Sequence, residues 1–215
     1  DLYRADSSEA DVELIITKPR RTRTMRMRIW TRGKEHALIV VAAPPREKDT
    51  ATLKVERNLW NYLPRIRRTI RIPPSMMLAS WMGSDFTNDD LVRESSFIED
   101  YAYTFVGETH DPEGWRIRFD SKPGVPGLWS RFDLIVDKQD LLPLQAEYFD
   151  RRGDSARTLH WSDIRTFGTR KLPAHMTLIP KDKPNQKTEM IYRDLNFDAD
   201  VSDRMFSLSE LERQR

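Results

Sequence analysis

The chain has 215 residues, and its 36 lysines and arginines nearly balance its 34 aspartates and glutamates, which leaves a formal net charge of +2. This length fits one domain over residues 1–215 that is large enough to bury a sizeable core. The near-balance of charge gives no indication of a nucleic-acid partner. Because the chain has no cysteine, disulfides, thiol catalysis and cysteine-based zinc sites are excluded.

Two further features bear on where the protein works. No apolar run approaches the roughly 18 residues that a membrane-crossing helix requires. The lack of cysteine fits a periplasmic or other exported protein, although many cytosolic proteins also lack it. Because the chain begins at Asp1 and not at methionine, we expect a segment upstream of it, such as a signal peptide, to have been removed.

Apolar and polar residues alternate with a period of two along the whole chain. In residues 24–30, Met25, Met27 and Ile29 point to one face and the residues between them to the other, which is typical of a half-buried strand. The same pattern predicts about eleven strands, at residues 12–16, 24–30, 36–41, 52–56, 101–106, 115–119, 132–136, 144–149, 157–161, 175–179 and 188–192.

The connections between these strands are short and rich in turn residues. Residues 31–33, 111–114, 150–154 and 181–185 each place Gly, Pro, Asn or Asp where a hairpin reverses. Short links indicate antiparallel neighbours, because parallel pairs need crossovers of about a dozen residues or more. The sequence therefore predicts a mainly β fold, and one continuous sheet of this size must curl strongly, split or close.

Positive charge is concentrated in two short runs, residues 18–28 and 65–71, which hold ten of the 36 basic residues. The plain interpretation is a solvated strand face. The alternative is a surface for anionic lipid headgroups, a membrane or an acidic protein. The contact residues would then be Arg26, Arg28, Arg65, Arg67 and Arg68. RNA is a weaker candidate, because RNA-binding modules place aromatic residues among their basic ones.

Three short helices are predicted, at residues 75–82, 87–94 and 207–213. The first follows Pro73 and Pro74, contains no β-branched residue and ends at Gly83. The second begins with Thr87 and Asp90 at the spacing of a capping box, with aspartate in place of the usual Glu or Gln.

The sequence contains no recognisable set of catalytic residues. The four histidines are far apart, and none has the i, i+4 spacing of a helical zinc site. Asp85, Asp89 and Asp90 could hold a hard cation, but the EF-hand spacing is absent. Capping explains them better: Ser84 or Asp85 ends the first helix, and Asp90 helps to begin the second. We therefore expect no metal, no cofactor and no enzymatic activity.

The segment 76–86 carries an excess of large apolar side chains, so the first predicted helix is apolar over most of its circumference. These side chains are Met76, Met77, Leu78, Trp81, Met82 and Phe86. Part of the excess is core packing, and the rest is expected to line a cavity, because methionine suits surfaces that accept varied apolar ligands. Further candidates for the cavity wall are Trp30, Trp60, Tyr62, Tyr101 and Tyr103, although the sequence does not fix which sheet face is concave.

Several segments resemble the outer membrane lipoprotein-sorting protein family, whose members are LolA-like periplasmic proteins of Gram-negative bacteria. The most specific is the combination of LWNYLP at residues 59–64 with MGSDFTNDDL at residues 82–91. The other segments are residues 30–33, 46–53, 65–75, 171–173 and 206–213, so the resemblance covers nearly the whole chain in the same order.

The resemblance implies an incomplete, strongly curled antiparallel β-barrel of the LolA/LolB type, whose open side is plugged by short helices over an apolar cavity. It implies a monomeric periplasmic carrier that binds lipid or lipoprotein acyl chains and moves them toward an outer-membrane acceptor, with transient membrane contact. This branch resembles proteins encoded beside resistance-nodulation-division exporters, so such an inner-membrane exporter is an implied partner. The resemblance also implies an arginine that holds the lid closed, for which Arg26 and Arg28 are the candidates.

Three functions stay open at this point. A carrier would use the segment 76–86 as its apolar site, with hinges at Gly83 and at Pro73 and Pro74. An acyl chain of about fourteen carbons would need an enclosed apolar site worth on the order of 10 kcal/mol. A non-enzymatic adaptor would dock on an exporter through the basic strands and fill its interior with its own side chains. A cofactor-free enzyme would need polar groups that converge in the cavity.

Overall fold

In the computed structural model, thirteen antiparallel strands form one sheet, and short helical segments cover parts of its two faces. The structure describes residues 2–3, 5–93, 97–125, 127–197 and 199–213. The strands are β1 (Ser7–Lys18), β2 (Arg21–Arg32), β3 (His36–Ala43), β4 (Ala51–Val55), β5 (Asn58–Leu63), β6 (Arg68–Arg71), β7 (Tyr101–His110), β8 (Glu113–Ser121), β9 (Arg131–Val136), β10 (Pro143–Phe149), β11 (Ser155–Phe167), β12 (Arg170–Pro180) and β13 (Lys187–Asn196).

The helical segments are all short. The α-helices are α1 (Asn88–Arg93), α2 (Phe97–Asp100) and α3 (Leu208–Arg213), and the 3-10 turns are Pro74–Met76, Trp81–Gly83 and Asp203–Phe206. None of the helices in the described parts of the chain has the length and apolarity to cross a bilayer.

Strands that follow one another in the sequence also lie side by side in the sheet, with the exception of β6 and β7. Its order is β6-β5-β4-β3-β2-β1-β13-β12-β11-β10-β9-β8-β7. The first and last strands of the chain therefore pair in the middle of the sheet, with Leu14 opposite Met190. The two edge strands, β6 and β7, follow one another in the sequence and are linked by residues 72–100, so one segment connects the two open edges.

Because successive strands alternate in direction, their connections fall at two ends of the sheet. We call one the first end; its connections are residues 19–20, 44–50, 64–67, 122–130, 150–154 and 181–186. The other is the second end; its connections are residues 33–35, 56–57, 111–112, 137–142 and 168–169.

The contacts of the covering segment require the sheet to curl. Trp81 bonds to Thr52 on β4, and Asp90, nine residues later, bonds to Arg157 on β11. These strands are six positions apart in the sheet, which is about 29 Å on a flat surface. The chain between Trp81 and Asp90 folds back on itself through a bridge from Ser80 to Thr87, so it spans far less than that. The predicted curled, open antiparallel sheet is confirmed.

The two faces of the sheet carry separate cores. The concave face buries alternate residues of β1–β3 and β9–β13, such as Leu14, Met27 and Leu178, together with Trp81. The convex face of β3–β5 buries Leu38 and Leu53 against the C-terminal segment.

The predicted and observed elements differ at two places. All eleven predicted strands are present, but β5 and β6 were missed because Pro64 and the mixed polarity of residues 58–71 obscure the alternation. The predicted helix at residues 75–82 is wrong: the chain forms two 3-10 turns there, and Met82 has a left-handed φ of 51° that no α-helix accommodates. The helices predicted at residues 87–94 and 207–213 are confirmed as α1 and α3.

Candidate functional site

The candidate site is the concave face of the sheet together with its cover, residues 74–93 and 97–100, which we call the lid. The lid begins with the two 3-10 turns, and the bridge between Ser80 and Thr87 closes a tight loop in which the Trp81 amide donates to the Phe86 carbonyl at 2.8 Å. Left-handed backbone at Met82 and Gly83 (φ 51° and 76°) makes this reversal possible. The lid then continues through α1 and α2 to the edge strand β7.

Trp81 is the apolar anchor of the lid. Its side chain is 1% exposed within the concave-face core, and its Nε1 donates a hydrogen bond to Thr52 Oγ1 at 3.1 Å. Met82 and Phe86 pack against the same core as partly buried residues. Burying a side chain of this size stabilises the closed lid by roughly 2–3 kcal/mol.

A buried ion pair fastens the second half of the lid. Asp90 of α1 accepts two hydrogen bonds from Arg157 of β11, from Nη1 to Oδ2 and from Nη2 to Oδ1, each at 2.7 Å. The guanidinium lies over the rings of Trp129 and Tyr148, at 4.1 and 4.5 Å from their centroids. A bidentate pair between two aromatic faces is both strong and strictly oriented. We call this pair the latch.

The electrostatics of the latch favour the ionised state of both groups. Burial opposes ionisation of Asp90, but the Arg157 guanidinium and two hydrogen bonds from Thr87 outweigh it and hold the pKa of Asp90 below its usual value. Burial also opposes the charge on Arg157, and Asp90 outweighs it, so the pKa of Arg157 is raised. Tyr148 beside them stays neutral, because burial raises its pKa to about 12.

The same aspartate begins the helix, as the sequence predicted. The Thr87 amide donates to Asp90 Oδ2 at 2.8 Å, and the Asp90 amide donates to Thr87 Oγ1 at 3.2 Å. This reciprocal pair is a capping box in which aspartate replaces glutamate. Asp90 therefore both caps α1 and closes the latch.

Two further polar contacts tie the lid to the sheet. Asp85 is not a cap, contrary to expectation: its amide donates to Thr188 Oγ1 at 2.9 Å, the Thr188 hydroxyl donates to Asp85 Oδ2 at 2.7 Å, and Gln186 donates to Oδ1. Ser84 alone takes the capping role, with its hydroxyl donating to the Trp81 carbonyl at 2.6 Å. Arg23 of β2 donates to the Met82 carbonyl at 3.2 Å.

The two arginines that were expected to hold the lid closed, Arg26 and Arg28, do not face it. Arg26 and Arg28 alternate with Met25 and Met27 and therefore lie exposed on the convex face, where Arg28 pairs with Glu9 and Asp11. Two other arginines, Arg23 and Arg157, donate hydrogen bonds to the lid. Arg157 pairs with a residue 67 positions away, so no local pattern could identify it.

An aromatic wall lines the concave face of β7–β10. Phe119 and Phe132 stack with centroids 4.5 Å apart, and Phe132 also contacts Tyr101 and Tyr148. The wall continues outward on β7, where Tyr103 contacts Phe119.

The outer part of this wall is open to solvent. Tyr103 is 68% exposed and Phe105 63% exposed, although both lie on the same sheet face as the buried Tyr101. Ile98, in the lid helix α2 that precedes β7, is 75% exposed. We call Ile98, Tyr103 and Phe105 the exposed rim. Ring contacts thus run from the core through Phe119 to Tyr103 on the edge strand.

The other predicted lipid-binding residues are distributed over several places. Met76 and Leu78 are about half exposed on the outer side of the lid, and Met77 lines a cleft of about 230 Å³ whose walls are mostly charged or polar. Trp60 and Tyr62 do not meet the lid at all, because they belong to the convex-face core, as does Trp30. A role for these residues in lipid binding stays a prediction.

The histidines and acidic residues were the other candidates for chemistry in the sequence. His36, His160 and His175 lie on the convex side of their strands, and His110 is exposed at the end of β7. No group of three or more His, Asp or Glu side chains in the described residues is arranged to hold a metal ion. A cleft of about 570 Å³ lies at the second end and is lined mainly by charged residues such as Arg32, Glu35 and Asp203.

Comparison with known proteins gives matches in fold. A DUF1329 family protein from Desulfovibrio piger has a TM-score of 0.89 at 24% identity, covering 96% of this chain and 92% of that chain. A domain from Vibrio parahaemolyticus that is named for outer membrane lipoprotein sorting has a TM-score of 0.84 at 23% identity, with the same coverage. A LolA superfamily protein from Nitrosomonas europaea has a TM-score of 0.78 at 19% identity, covering 96% of this chain and 93% of that chain.

Comparison by sequence gives one family. None of the curated proteins matches the chain. Residues 33–213 match the model of a family that is described as "Uncharacterized protein". The three structures confirm the resemblance to LolA-like proteins in fold. The chain therefore belongs to the family whose model spans residues 33–213, and it has the fold of the DUF1329, lipoprotein-sorting and LolA superfamily structures.

Proposed function

We propose that the protein is a periplasmic carrier that binds the acyl chain of a lipid or lipoprotein between its lid and its concave face, and passes it toward the outer membrane. The fold that it shares with lipoprotein-sorting and LolA superfamily structures supports this role. The observation that carries the proposal is the aromatic wall, whose exposed rim places Tyr103 and Phe105 in water beside the buried core. An exposed apolar surface that continues into a core is typical of a binding site.

The energetics of the lid suit a carrier. Holding an acyl chain of about fourteen carbons away from water contributes on the order of 11 kcal/mol. Opening the lid would separate the latch, at a cost of at most about 3–5 kcal/mol, and expose Trp81, at roughly 2–3 kcal/mol. The free energy gained by burying the acyl chain therefore exceeds the cost of opening the lid, whereas the empty protein stays closed. Release requires an acceptor that binds the acyl chain at least as well.

The test is retention and exchange of lipid by the purified protein. Native mass spectrometry and organic extraction should find co-purified lipid, and a fluorescent fatty acid should bind with micromolar affinity or better. The variant Tyr103→Ser/Phe105→Ser should weaken that binding about tenfold or more, because it removes the exposed part of the wall.

The matched control is Ile164→Ser/Ile179→Ser, which removes two exposed apolar side chains from the convex face. This control should bind the fatty acid as the parent does. If the protein neither retained nor exchanged any lipid, the carrier proposal would be wrong. Equal losses of fatty-acid binding in the two variants would show that the aromatic wall is not the binding site.

A non-enzymatic adaptor without cargo is the second candidate. It is favoured by the fact that Trp81, Met82 and Phe86 of the lid fill part of the concave face themselves. Such an adaptor would dock on a resistance-nodulation-division exporter through Arg65, Arg67 and Arg68. Charge reversal at these three positions would then abolish capture of the exporter, while the lipid assay would be negative for the parent protein and the variant alike.

A further inference from the structure

The two ends of the sheet differ in charge. The six connections at the first end contain ten lysines and arginines against five aspartates and glutamates, whereas the five connections at the second end contain three against five. The strand residues that border the first end add Lys18, Arg21, Arg68 and Lys187. The near-neutral total therefore conceals a strongly basic end.

The hairpin between β5 and β6 is the part of this end with the least neutralisation. Arg65, Arg67 and Arg68 are exposed, and none of their side chains forms an ion pair or hydrogen bond with any residue that the structure describes. Some exposed arginines elsewhere have carboxylate partners, as Arg28 has in Asp11 and Arg152 in Asp150, whereas the hairpin places three arginines without one within four residues. Unpaired guanidinium groups are free to bind an external anion.

The tip of the same hairpin carries an apolar side chain. Ile66 is 57% exposed between Arg65 and Arg67, and the turn is fixed by hydrogen bonds from the Ile66 amide to the Leu63 carbonyl at 3.3 Å and from the Arg67 amide to the Pro64 carbonyl at 3.2 Å. A single large apolar residue within a group of cations is the arrangement that partitions into the boundary between headgroups and acyl chains.

We propose that the first end of the sheet docks on an anionic phospholipid surface, with the hairpin 63–68 as its leading contact. Ile66 enters the headgroup boundary, and Arg65, Arg67 and Arg68 pair with lipid phosphates. A flat, extended anionic surface fits the observations better than an acidic protein, because basic residues outnumber acidic ones in four of the six connections at this end. This docking does not depend on any cargo, so it stands or falls separately from the carrier function.

The direct test is binding of the purified protein to vesicles. With 30% phosphatidylglycerol in phosphatidylcholine at low salt the protein should co-sediment, and with phosphatidylcholine alone it should stay in the supernatant. The variant Arg65→Gln/Arg67→Asn/Arg68→Gln should lower the partition coefficient about 100-fold, or roughly fivefold per arginine. Asparagine is chosen at position 67 because Arg67 has a left-handed φ of 50°. Ile66→Ser should lower it about tenfold.

The matched control removes the same three charges away from the first end. Arg26→Gln/Arg57→Gln/Arg204→Gln alters exposed arginines on the convex face, at the second end and in the C-terminal segment, and should bind vesicles nearly as the parent does. Circular dichroism and thermal unfolding confirm that each variant is folded. Failure of the parent to bind anionic vesicles, or equal losses in the hairpin and control variants, would overturn the proposal. Loss of capture of an acidic protein without any vesicle binding would assign the hairpin to a protein partner instead.

Discussion

The helices α1 and α3 are a natural pair to compare, because each has six residues and each lies on one face of the same sheet. Both are capped from the preceding residue: Thr87 accepts from the Asp90 amide, and Ser207 accepts from the Glu210 amide. They differ in what faces the sheet. In α3, Leu211 is 0% exposed within the convex-face core, whereas α1 turns Asp90 to Arg157 and leaves Leu91 only partly buried.

This difference between α1 and α3 indicates which of the two helices stays on the sheet. An apolar anchor such as Leu211 gains nothing when it is exposed to water, so α3 stays in place as long as the fold does. A charged pair is stabilised in both states, by its partner when the lid is closed and by water when it is open, so the latch of α1 orients the lid at a smaller net free energy. One sheet thus carries a fixed cover on its convex face and a releasable one on its concave face.

The largest effect is expected from the fixed cover. Leu211→Ala should lower the free energy of unfolding by about 4 kcal/mol, because it leaves a cavity in a fully packed site. Denaturant unfolding followed by circular dichroism measures this. Leu208→Ala, at an exposed position of the same helix, is the control and should change stability by less than about 0.5 kcal/mol. Similar effects of the two substitutions would contradict the role given to Leu211.

Breaking the latch should lower the free energy of unfolding less than Leu211→Ala does, but it should make the lid open much more often. Asp90→Asn leaves the Arg157 charge buried without its partner, which costs up to about 3 kcal/mol before the lid opens and lets water in. Hydrogen exchange should then accelerate in residues 81–93 and remain unchanged in α3. Uniform acceleration across the molecule would show that the lid is not a separate unit.

The capping box should contribute less again. Thr87→Ala removes the hydroxyl that accepts from the Asp90 amide and should lower stability by about 1 kcal/mol, with faster exchange limited to α1. The corresponding substitution before α3, Ser207→Ala, should lower stability by a similar amount without affecting binding of a fatty acid. If Ser207→Ala changed that binding as strongly as Thr87→Ala, the two covers would not be functionally distinct.

The smallest effect is expected from pH. The folded-state pKa of Asp90 lies below its ordinary value near 3.8, so the stabilisation by the latch is fully present above that value and is lost only as the pH falls through the folded-state pKa. Between pH 8 and pH 5 the exchange rates of the lid, corrected for the intrinsic pH dependence, should therefore be constant. Lid opening with a midpoint in this interval would contradict the ionised latch.

The sequence predicted the elements that local pattern controls. Clean alternation identified eleven strands, and the spacing of Thr87 and Asp90 identified the start of α1. It did not predict the irregular lid, because the left-handed backbone at Met82 is stabilised by the burial of Trp81 and not by any propensity of residues 75–82. It also could not place Trp60, whose face is decided by the position of the C-terminal segment.

The polar partners of the lid could not be predicted from local sequence patterns either. Asp85 bonds to Thr188, 103 positions away, and Asp90 to Arg157, 67 positions away. In both cases the sequence suggested that the aspartates act on neighbouring backbone. That was correct for Asp90, which has two roles, and wrong for Asp85.

The position of the lid between β6 and β7 gives it a further mechanical property. This lid is joined covalently to both edges of the sheet, and the two meanders β1–β6 and β7–β13 are paired as strands through β1 and β13. The lid therefore links the two edges of a curled sheet whose middle is that strand pair. Under the proposed function, an acyl chain that entered beneath the lid would move the two edges and change the curvature of the sheet. The occupancy of the concave face would then be communicated to the strand connections at both ends.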